Sequence, residues 1–157
     1  MRTLPILLPE EENIIRDSNA TDQDFGSAVS ACDMLLSSVR RRPAHTAVWM
    51  DGQEWSYTEI FQRASGVASW LKETVGVRPN DIVGMQVDRS VEMVVAMLGA
   101  VLSGAAYCAL PIDTPPDRLQ YLLEDTQAKA ILTVRALKQE FEEIVVMAQM
   151  LILDGPD

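Results

Sequence analysis

The sequence has few of the residues from which catalytic and metal sites are most often built. It contains one histidine, His45, and two cysteines, Cys32 and Cys108, which are far apart and have no C-x-x-C spacing. Two distant thiols do not make a disulfide framework, so we expect a reduced, cytoplasmic setting. His45 lies in a predicted loop without partners close in sequence, and Cys32 lies on the apolar face of a predicted helix. The sequence therefore does not indicate a catalytic pair of the Cys32 thiol and the His45 imidazole.

Basic residues are also scarce. The chain carries 13 Lys and Arg against 23 Asp and Glu, a formal net charge of −10. Nucleic acids and anionic membranes both bind basic surfaces, so we expect neither as a partner. The basic triplet Arg40 to Arg42 could bind a phosphate, but its place at the end of a predicted helix, before Pro43, favours capping of that helix.

Residues 1–25 form the most acidic part of the chain, with six acids and two bases. We predict a leader over residues 1–25 and a globular part over residues 26–157. Pro9 followed by Glu10, Glu11 and Glu12 predicts one short helix, because acidic side chains suit the first turn of a helix. An acidic, half-ordered tail is the alternative.

Recognised catalytic and phosphate-binding motifs are missing. The sequence has no G-x-G-x-x-G after a strand, no G-x-x-x-x-G-K-[ST], no G-x-S-x-G and no metal-ligand spacing. Asp113 and Asp117 are close enough in P-I-D-T-P-P-D to act as paired carboxylates. Their simpler role is to end a strand and to cap a helix that begins at Pro116. We therefore predict no catalytic, cofactor-binding or metal-binding residue.

What the sequence does contain is an alternation of apolar strands and amphipathic helices. The predicted strands cover residues 82–87, 106–110, 129–133 and 151–153, and the predicted helices cover residues 28–41, 56–73, 90–103, 118–126 and 137–149. This alternation predicts an α/β fold, a mostly parallel sheet with flanking helices. Two further short strands, 46–50 and 54–56, flank Asp51-Gly52 and predict a hairpin.

The most apolar stretch runs from residue 91 to residue 113. Residues 90–103 are apolar on nearly every face, which predicts a helix that is buried on most sides and stops at Gly104. The run from 106 to 110 then predicts a fully buried, central strand, with Cys108 buried in it. A membrane helix of this length is an alternative. Gly104 and Pro111 interrupt it, however, and no Lys/Arg cluster lies beside it.

This stretch also carries a family resemblance. S-G-A-A-Y-C-A-L-P-I-D at 103–113 resembles the K-A-G-x-A-Y-V-P-x-D motif of adenylate-forming enzymes, above all the amino-acid adenylation domains of nonribosomal peptide synthetases, although the family's lysine is not found before the glycine. W-S-Y-T-E-I and T-P-P-D-R-L-Q-Y-L-L-E-D resemble two further motifs of this family. The matching positions, which we expect to be structural, are Ser56, Tyr57, Glu59, Gly104, Tyr107, Pro111, Asp113 and Arg118.

The resemblance implies a partial N-terminal subdomain of the adenylate-forming fold. In the leader, L-L-P-E-E-E-N-I-I-R-D-S-N-A-T resembles the linker that joins a condensation domain to an adenylation domain, although the linker's tryptophan is missing. Complete enzymes of this family activate an amino acid or another carboxylic acid with ATP and Mg²⁺ and pass it to a phosphopantetheine thiol. Their Ser/Thr/Gly-rich phosphate loop and catalytic lysine lie further along than Asp157, the last residue here. We therefore expect this chain alone to bind neither ATP nor Mg²⁺ and to be inactive by itself.

Three functions remain open from the sequence. The chain could be one half of a split amino-acid-activating enzyme, or a non-catalytic docking or structural module beside a neighbouring synthetase domain. An unrelated flavodoxin-like binding domain is the third, disfavoured because three motifs match the synthetase family in order. The first two predict a protein partner, or self-association, through apolar surface and an open sheet edge.

Overall fold

The computed structural model describes residues 8–22, 30–141, 144 and 148–155. The helices are α1 (Pro9–Ser18), α2 (Ala31–Arg41), α3 (Tyr57–Ser69), α4 (Val91–Ser103) and α5 (Pro116–Thr126). α3 continues as a π-helical segment, Trp70–Val75, and a 3₁₀ helix covers Arg135–Phe141. The strands are β1 (Thr46–Met50), β2 (Gln53–Ser56), β3 (Ile82–Gln86), β4 (Ala106–Ala109), β5 (Ala130–Thr133) and β6 (Gln149–Ile152).

The main sheet has four strands in the order β4-β3-β5-β6, and every neighbouring pair is parallel. The prediction of an α/β fold with a parallel sheet is confirmed. β1 and β2 form a separate antiparallel hairpin. Its turn residues Asp51 and Gly52 both have positive φ angles, 51° and 78°, as the favoured two-residue hairpin turn requires.

Helices cover both faces of the sheet because side chains alternate along each strand. Ala130 and Leu132 of β5 belong to one buried cluster, with residues of α3, α4 and β3. Ile131, between them, belongs to a second cluster with Leu119 and Leu123 of α5. β5 is therefore buried on both faces, and all four of its residues are buried.

α4 packs closely against α3 through a glycine. A Cβ atom built on Gly99 would lie 2.6 Å from both Cβ and Cγ1 of Val67, and 3.1 Å from the carbonyl oxygen of Ala64. α4 is capped at its start by Ser90, whose hydroxyl accepts the Met93 amide at 3.3 Å. It ends at Gly104 with φ 88°, so the predicted glycine stop is confirmed.

The prediction that residues 106–110 form a fully buried central strand is wrong. β4 lies at the edge of the sheet, and Ala106, Tyr107 and Ala109 are exposed. Cys108 is only half-buried. An apolar run predicts that a strand will be covered, but strand order is decided by pairing with distant residues, and the central strands are β3 and β5.

Two further predictions need correction. Residues 137–149 do not form one helix, because Arg135–Phe141 is 3₁₀ and Gln149 begins β6; residues 142–143 and 145–147 lie outside the described part of the chain. Neither Asp113 nor Asp117 caps α5. The N-cap position is Pro115, and it makes no side-chain cap bond. A proline start already fixes the helical φ angle, which is why the helix can begin without a cap.

Other local predictions are confirmed. Arg40 and Arg41 occupy the last turn of α2, and a helix does follow Pro9. Cys32 is half-buried on α2, and its thiol donates to the Val101 carbonyl oxygen at 3.6 Å. α4 has 13 residues, and no helix in the described ranges has the length and apolar character needed to cross a membrane.

An ion pair joins α3 to α4. Arg63 Nη2 lies 2.8 Å from Glu92 Oε1, and both side chains are partly exposed. Burial raises the pKa of Glu92, but hydrogen bonds from Arg63, from its own backbone and from Ser90, together with the positive charge of Arg63, outweigh burial and lower the pKa overall. A carboxyl group with a lowered folded-state pKa stabilises the fold above its unfolded-state pKa, and this stabilisation is lost as pH falls through the folded-state pKa.

We predict that Glu92→Gln lowers the free energy of unfolding near neutral pH by about 0.5 kcal/mol, the usual value for an exposed ion pair. The difference from the wild type should disappear in acid below the folded-state pKa of Glu92. Urea unfolding at neutral and acidic pH measures both values. Glu124→Gln is the matched control, since the Glu124 carboxylate accepts from the Gln120 amide rather than from a cation. A deficit that persists in acid would show that the ion pair is not its cause.

Candidate functional site

The order in which strands are added to the sheet reverses between β3 and β5, and the candidate site lies at the carboxyl ends of these two strands. The chain passes from β3 to β4 on one side of β3, whereas β5 pairs with the other side of β3. Open α/β sheets bind ligands beyond the carboxyl ends of their strands at such a switch point. These two strand ends therefore form the candidate functional site of the fold.

Two buried polar residues lie there side by side. Gln86 ends β3, Thr133 ends β5, the two are register partners, and both side chains are fully buried. Gln86 Nε2 donates to the carbonyl oxygen of Pro111 at 3.2 Å, which holds the loop after β4 against β3. Within the described part of the chain, Thr133 Oγ1 has no hydrogen-bond partner. The sequence analysis missed both residues; a polar residue at the end of an apolar strand, as in I-V-G-M-Q and A-I-L-T, could have identified them.

The loops after β5 and β6 are joined by polar contacts at the same edge. The Arg135 amide donates to Asp154 Oδ1 at 2.7 Å, and its guanidinium donates to the Asp154 carbonyl oxygen at 3.0 Å. The Leu153 amide also donates to the Thr133 carbonyl oxygen at 2.9 Å. Arg135 therefore holds the two loops together, through its backbone amide and its guanidinium.

The first group of predicted motif residues lies away from this edge, at the start of α3. Ser56 Oγ accepts the Glu59 amide at 3.3 Å, and the Glu59 carboxylate accepts the Ser56 amide at 2.7 Å, a complete capping box. The Ser56 hydroxyl also donates to the Glu59 carboxylate at 2.7 Å, and this bond first, then the bond from the Ser56 amide, lowers the pKa of Glu59. The Tyr57 amide donates to the His45 carbonyl oxygen at 3.0 Å, so this group ties the hairpin to α3.

The remaining motif residues are spread around β4 and α5. Gly104 ends α4 and accepts the Asn80 amide at 3.1 Å, and Tyr107 lies on the edge strand with 38% of its surface exposed. Asp113 is exposed in the turn before α5, and the exposed Arg118 stacks over the Tyr121 ring at 5.0 Å from its centroid. Of the eight positions only Pro111 contacts the candidate site, and the structural role of the set remains a prediction.

A shallow groove lies elsewhere, between α2, α3 and α4. It has a volume of about 300 Å³ and is lined by Leu36, Phe61, Ser65, Ala68, Ser69, Lys72 and Leu102. Its one charged group, Lys72 Nζ, donates to the Leu102 carbonyl oxygen at 2.9 Å. Nowhere in the described ranges do three His, Cys, Asp or Glu residues come together as metal ligands would.

Comparison with known proteins supports the resemblance seen in the motifs. The sequence profile of the AMP-binding enzyme family matches residues 35–157. Gramicidin S synthase 2 of Brevibacillus brevis is 35% identical over 131 residues, which cover 83% of this chain and 3% of the synthase. Zwittermicin A synthase ZmaJ of Bacillus cereus is 38% identical over 129 residues, 81% of this chain and 24% of that protein. The chain thus spans only a small part of the relatives it matches.

Solved structures match in the same way. The nonribosomal peptide synthetase FmoA3 superposes with a TM-score of 0.83 at 27% sequence identity, over 94% of this chain and 16% of the FmoA3 chain. One FmoA3 structure has α-methyl-L-serine-AMP bound. A four-domain nonribosomal peptide synthetase bound to AMP and glycine superposes with a TM-score of 0.69 at 29% identity, over 82% of this chain and 9% of that chain. The sheet, its helices and the hairpin therefore occur together as part of much larger synthetases.

Proposed function

The chain belongs to the AMP-binding enzyme family, as part of a nonribosomal peptide synthetase adenylation domain, and we propose that it is the non-catalytic half of an amino-acid-activating unit. Its role is to supply a parallel sheet and flanking helices against which a complementary polypeptide is assembled. The observation that carries this proposal is the match to FmoA3 over 94% of this chain but only 16% of the FmoA3 chain. The unit would act in the cytoplasm, in keeping with the two free thiols.

The contacts of three described cations support the assignment of ATP binding to the complementary polypeptide. A triphosphate needs cationic groups or a loop of backbone amides aimed at its oxygens. Arg63 is paired with Glu92, and the Arg135 guanidinium and Lys72 each donate to a backbone carbonyl oxygen, so these three cations are held in structural contacts. The complementary polypeptide would therefore hold ATP and Mg²⁺. It would also carry out the attack of the amino-acid carboxylate on the α-phosphorus, which releases pyrophosphate.

A second role is favoured by α1. None of its residues is buried, and Leu8, Ile14 and Ile15 expose 62%, 66% and 46% of their surfaces. A helix with such exposed apolar residues is suited to contact another domain. In this role the chain docks on a neighbouring synthetase domain and takes no part in activation.

The test is ATP–pyrophosphate exchange. The purified chain alone should give no exchange above a blank with any amino acid. We define the FmoA3 remainder as the part of the FmoA3 polypeptide that follows the region matched by this chain, produced as a separate polypeptide. Mixed with the FmoA3 remainder and α-methyl-L-serine, the chain should restore exchange, because the two halves then complete one unit.

Two results would contradict the proposal in different ways. Exchange by the chain alone, in a preparation free of other synthetases, would show that it holds catalytic groups of its own. A stable complex with the FmoA3 remainder that gives no exchange would favour the docking role over the split enzyme. The control is FmoA3's own matched segment, which must restore exchange in the same assay.

A further inference from the structure

Within the described part of the chain, no strand lies beside the outer backbone groups of β4. The Ala106 amide donates to the Asp81 carbonyl oxygen at 2.9 Å and the Leu110 amide donates to the Met85 carbonyl oxygen at 2.8 Å, both towards β3. In a parallel ladder, alternate residues bond to the same neighbour. The amides of Tyr107 and Ala109 therefore point away from β3, where the described sheet has no further strand.

This edge lacks the features that usually protect an exposed strand. Natural sheets guard open edges with charged side chains, prolines or bulges. The sequence of β4 is A-Y-C-A, with no charge and no proline, and its register with β3 is regular over four residue pairs. β4 therefore has the composition that is typical of a strand paired on both sides, although the described sheet pairs it on one side only.

The other exposed strands differ from β4. In the hairpin, the register of β1 shifts between Thr46 and Val48, and Glu54 of β2 carries a charge and accepts from Thr46 Oγ1 at 2.6 Å across the strands. β6, at the opposite edge of the main sheet, also has no charge and no proline, but Met150, Leu151 and Ile152 are half-buried, whereas three of the four residues of β4 are exposed. Of the two edges of the described main sheet, β4 is thus the more exposed.

We propose that β4 pairs edge to edge with an extended segment of the complementary adenylation-domain polypeptide, which adds a fifth strand to the sheet. This inference rests on the proposed function and names the surface through which the two halves assemble. A second copy of this chain is the less suitable occupant, because each copy carries a net charge of −10. In FmoA3, most of the chain lies outside the matched region and can supply such a segment.

Hydrogen exchange tests this pairing one amide at a time. The ¹⁵N-labelled full chain is mixed with the unlabelled FmoA3 remainder, after the remainder has been shown to bind FmoA3's own matched segment. Exchange at Tyr107 and Ala109 should slow by roughly tenfold or more in the complex, since their amides become bonded. The amides of Ala106 and Leu110, already bonded to β3, should be protected with or without the remainder.

A pair of matched substitutions tests the same surface by affinity. Tyr107→Lys places a charge on the edge and should weaken binding of the FmoA3 remainder by about tenfold. Tyr121→Lys makes the same change at another exposed tyrosine, on α5, and should leave binding unchanged. Both sites are exposed, so both variants should fold, which circular dichroism verifies.

Each other outcome overturns the pairing. A complex in which Tyr107 and Ala109 still exchange rapidly would place the interface elsewhere and leave the proposed function standing. Failure of this chain to bind a remainder that does bind FmoA3's own segment would overturn both. Slowed exchange that depends on the concentration of this chain alone would assign the edge to a second copy.

Discussion

Gly99→Ala is expected to lower the free energy of unfolding by about 2 kcal/mol. Alanine is the better helix former by about 1 kcal/mol, so propensity alone predicts the opposite sign. The new methyl group, however, would lie 2.6 Å from Cβ and Cγ1 of Val67. A change of rotamer cannot move a Cβ atom, so α3 and α4 would have to separate, and overpacking of this kind typically costs 1–3 kcal/mol, occasionally more. Urea unfolding followed by circular dichroism measures the difference.

Gly66→Ala is the matched control. Gly66 lies in α3 and is exposed, and a Cβ atom there would meet nothing within 4 Å. This substitution should therefore stabilise the chain by about 0.5–1 kcal/mol, through helix propensity alone. If both variants gained stability, α3 and α4 would not be in the close contact described above.

Features that depend on neighbouring residues could be predicted from the sequence. The hairpin followed from Asp51-Gly52, the start of α3 from Ser56 and Glu59, and the end of α4 from Gly104. Each of these is decided within about four residues by φ angles and by the hydrogen bonds that a short polar side chain can reach. The alternation of strands and helices gave the fold class for the same reason.

Features that depend on strand order could not be predicted. The apolar runs of β4 and β5 look alike, yet β5 is buried on both faces and β4 lies at the edge. The close approach of Gly99 to Val67 depends on how two helices cross, which no local pattern encodes.

The contacts within the candidate site could not be predicted from the sequence either. Pro111 could be identified from its motif, but its contact is Gln86, 25 positions earlier in the chain. The pairing of Gln86 with Thr133 arises from the register between β3 and β5. Sequence patterns identify the strands that carry such residues, but they do not show which strands are neighbours.

The strand order gives the second large expected effect. Ile131→Ala should lower the free energy of unfolding by about 3 kcal/mol or more, because large-to-small changes at fully buried positions cost about 2–5 kcal/mol. Ile131 is fully buried in β5 and packs in the cluster that contains Leu110, Leu119 and Leu123. A single domain is typically stable by only about 5–15 kcal/mol, so this loss is a large share of the total. Ile14→Ala, on α1 where the side chain is 66% exposed, is the matched control and should change stability by less than about 0.5 kcal/mol.

Tyr107→Ala tests the edge position of β4, by comparison of its loss in free energy of unfolding with that of Ile131→Ala. Removal of an aromatic side chain from a buried central strand would cost about 3–5 kcal/mol. Tyr107 lies at the edge with 38% of its surface exposed, so Tyr107→Ala should lower the free energy of unfolding by only about 1 kcal/mol. This loss is smaller than that expected for Ile131→Ala, although the tyrosine side chain is the larger. Denaturant midpoints for the two variants, each compared with the wild type at equal m-value, give the ranking. A larger loss for Tyr107→Ala than for Ile131→Ala in the isolated chain would contradict the observed strand order and restore β4 to the centre of the sheet.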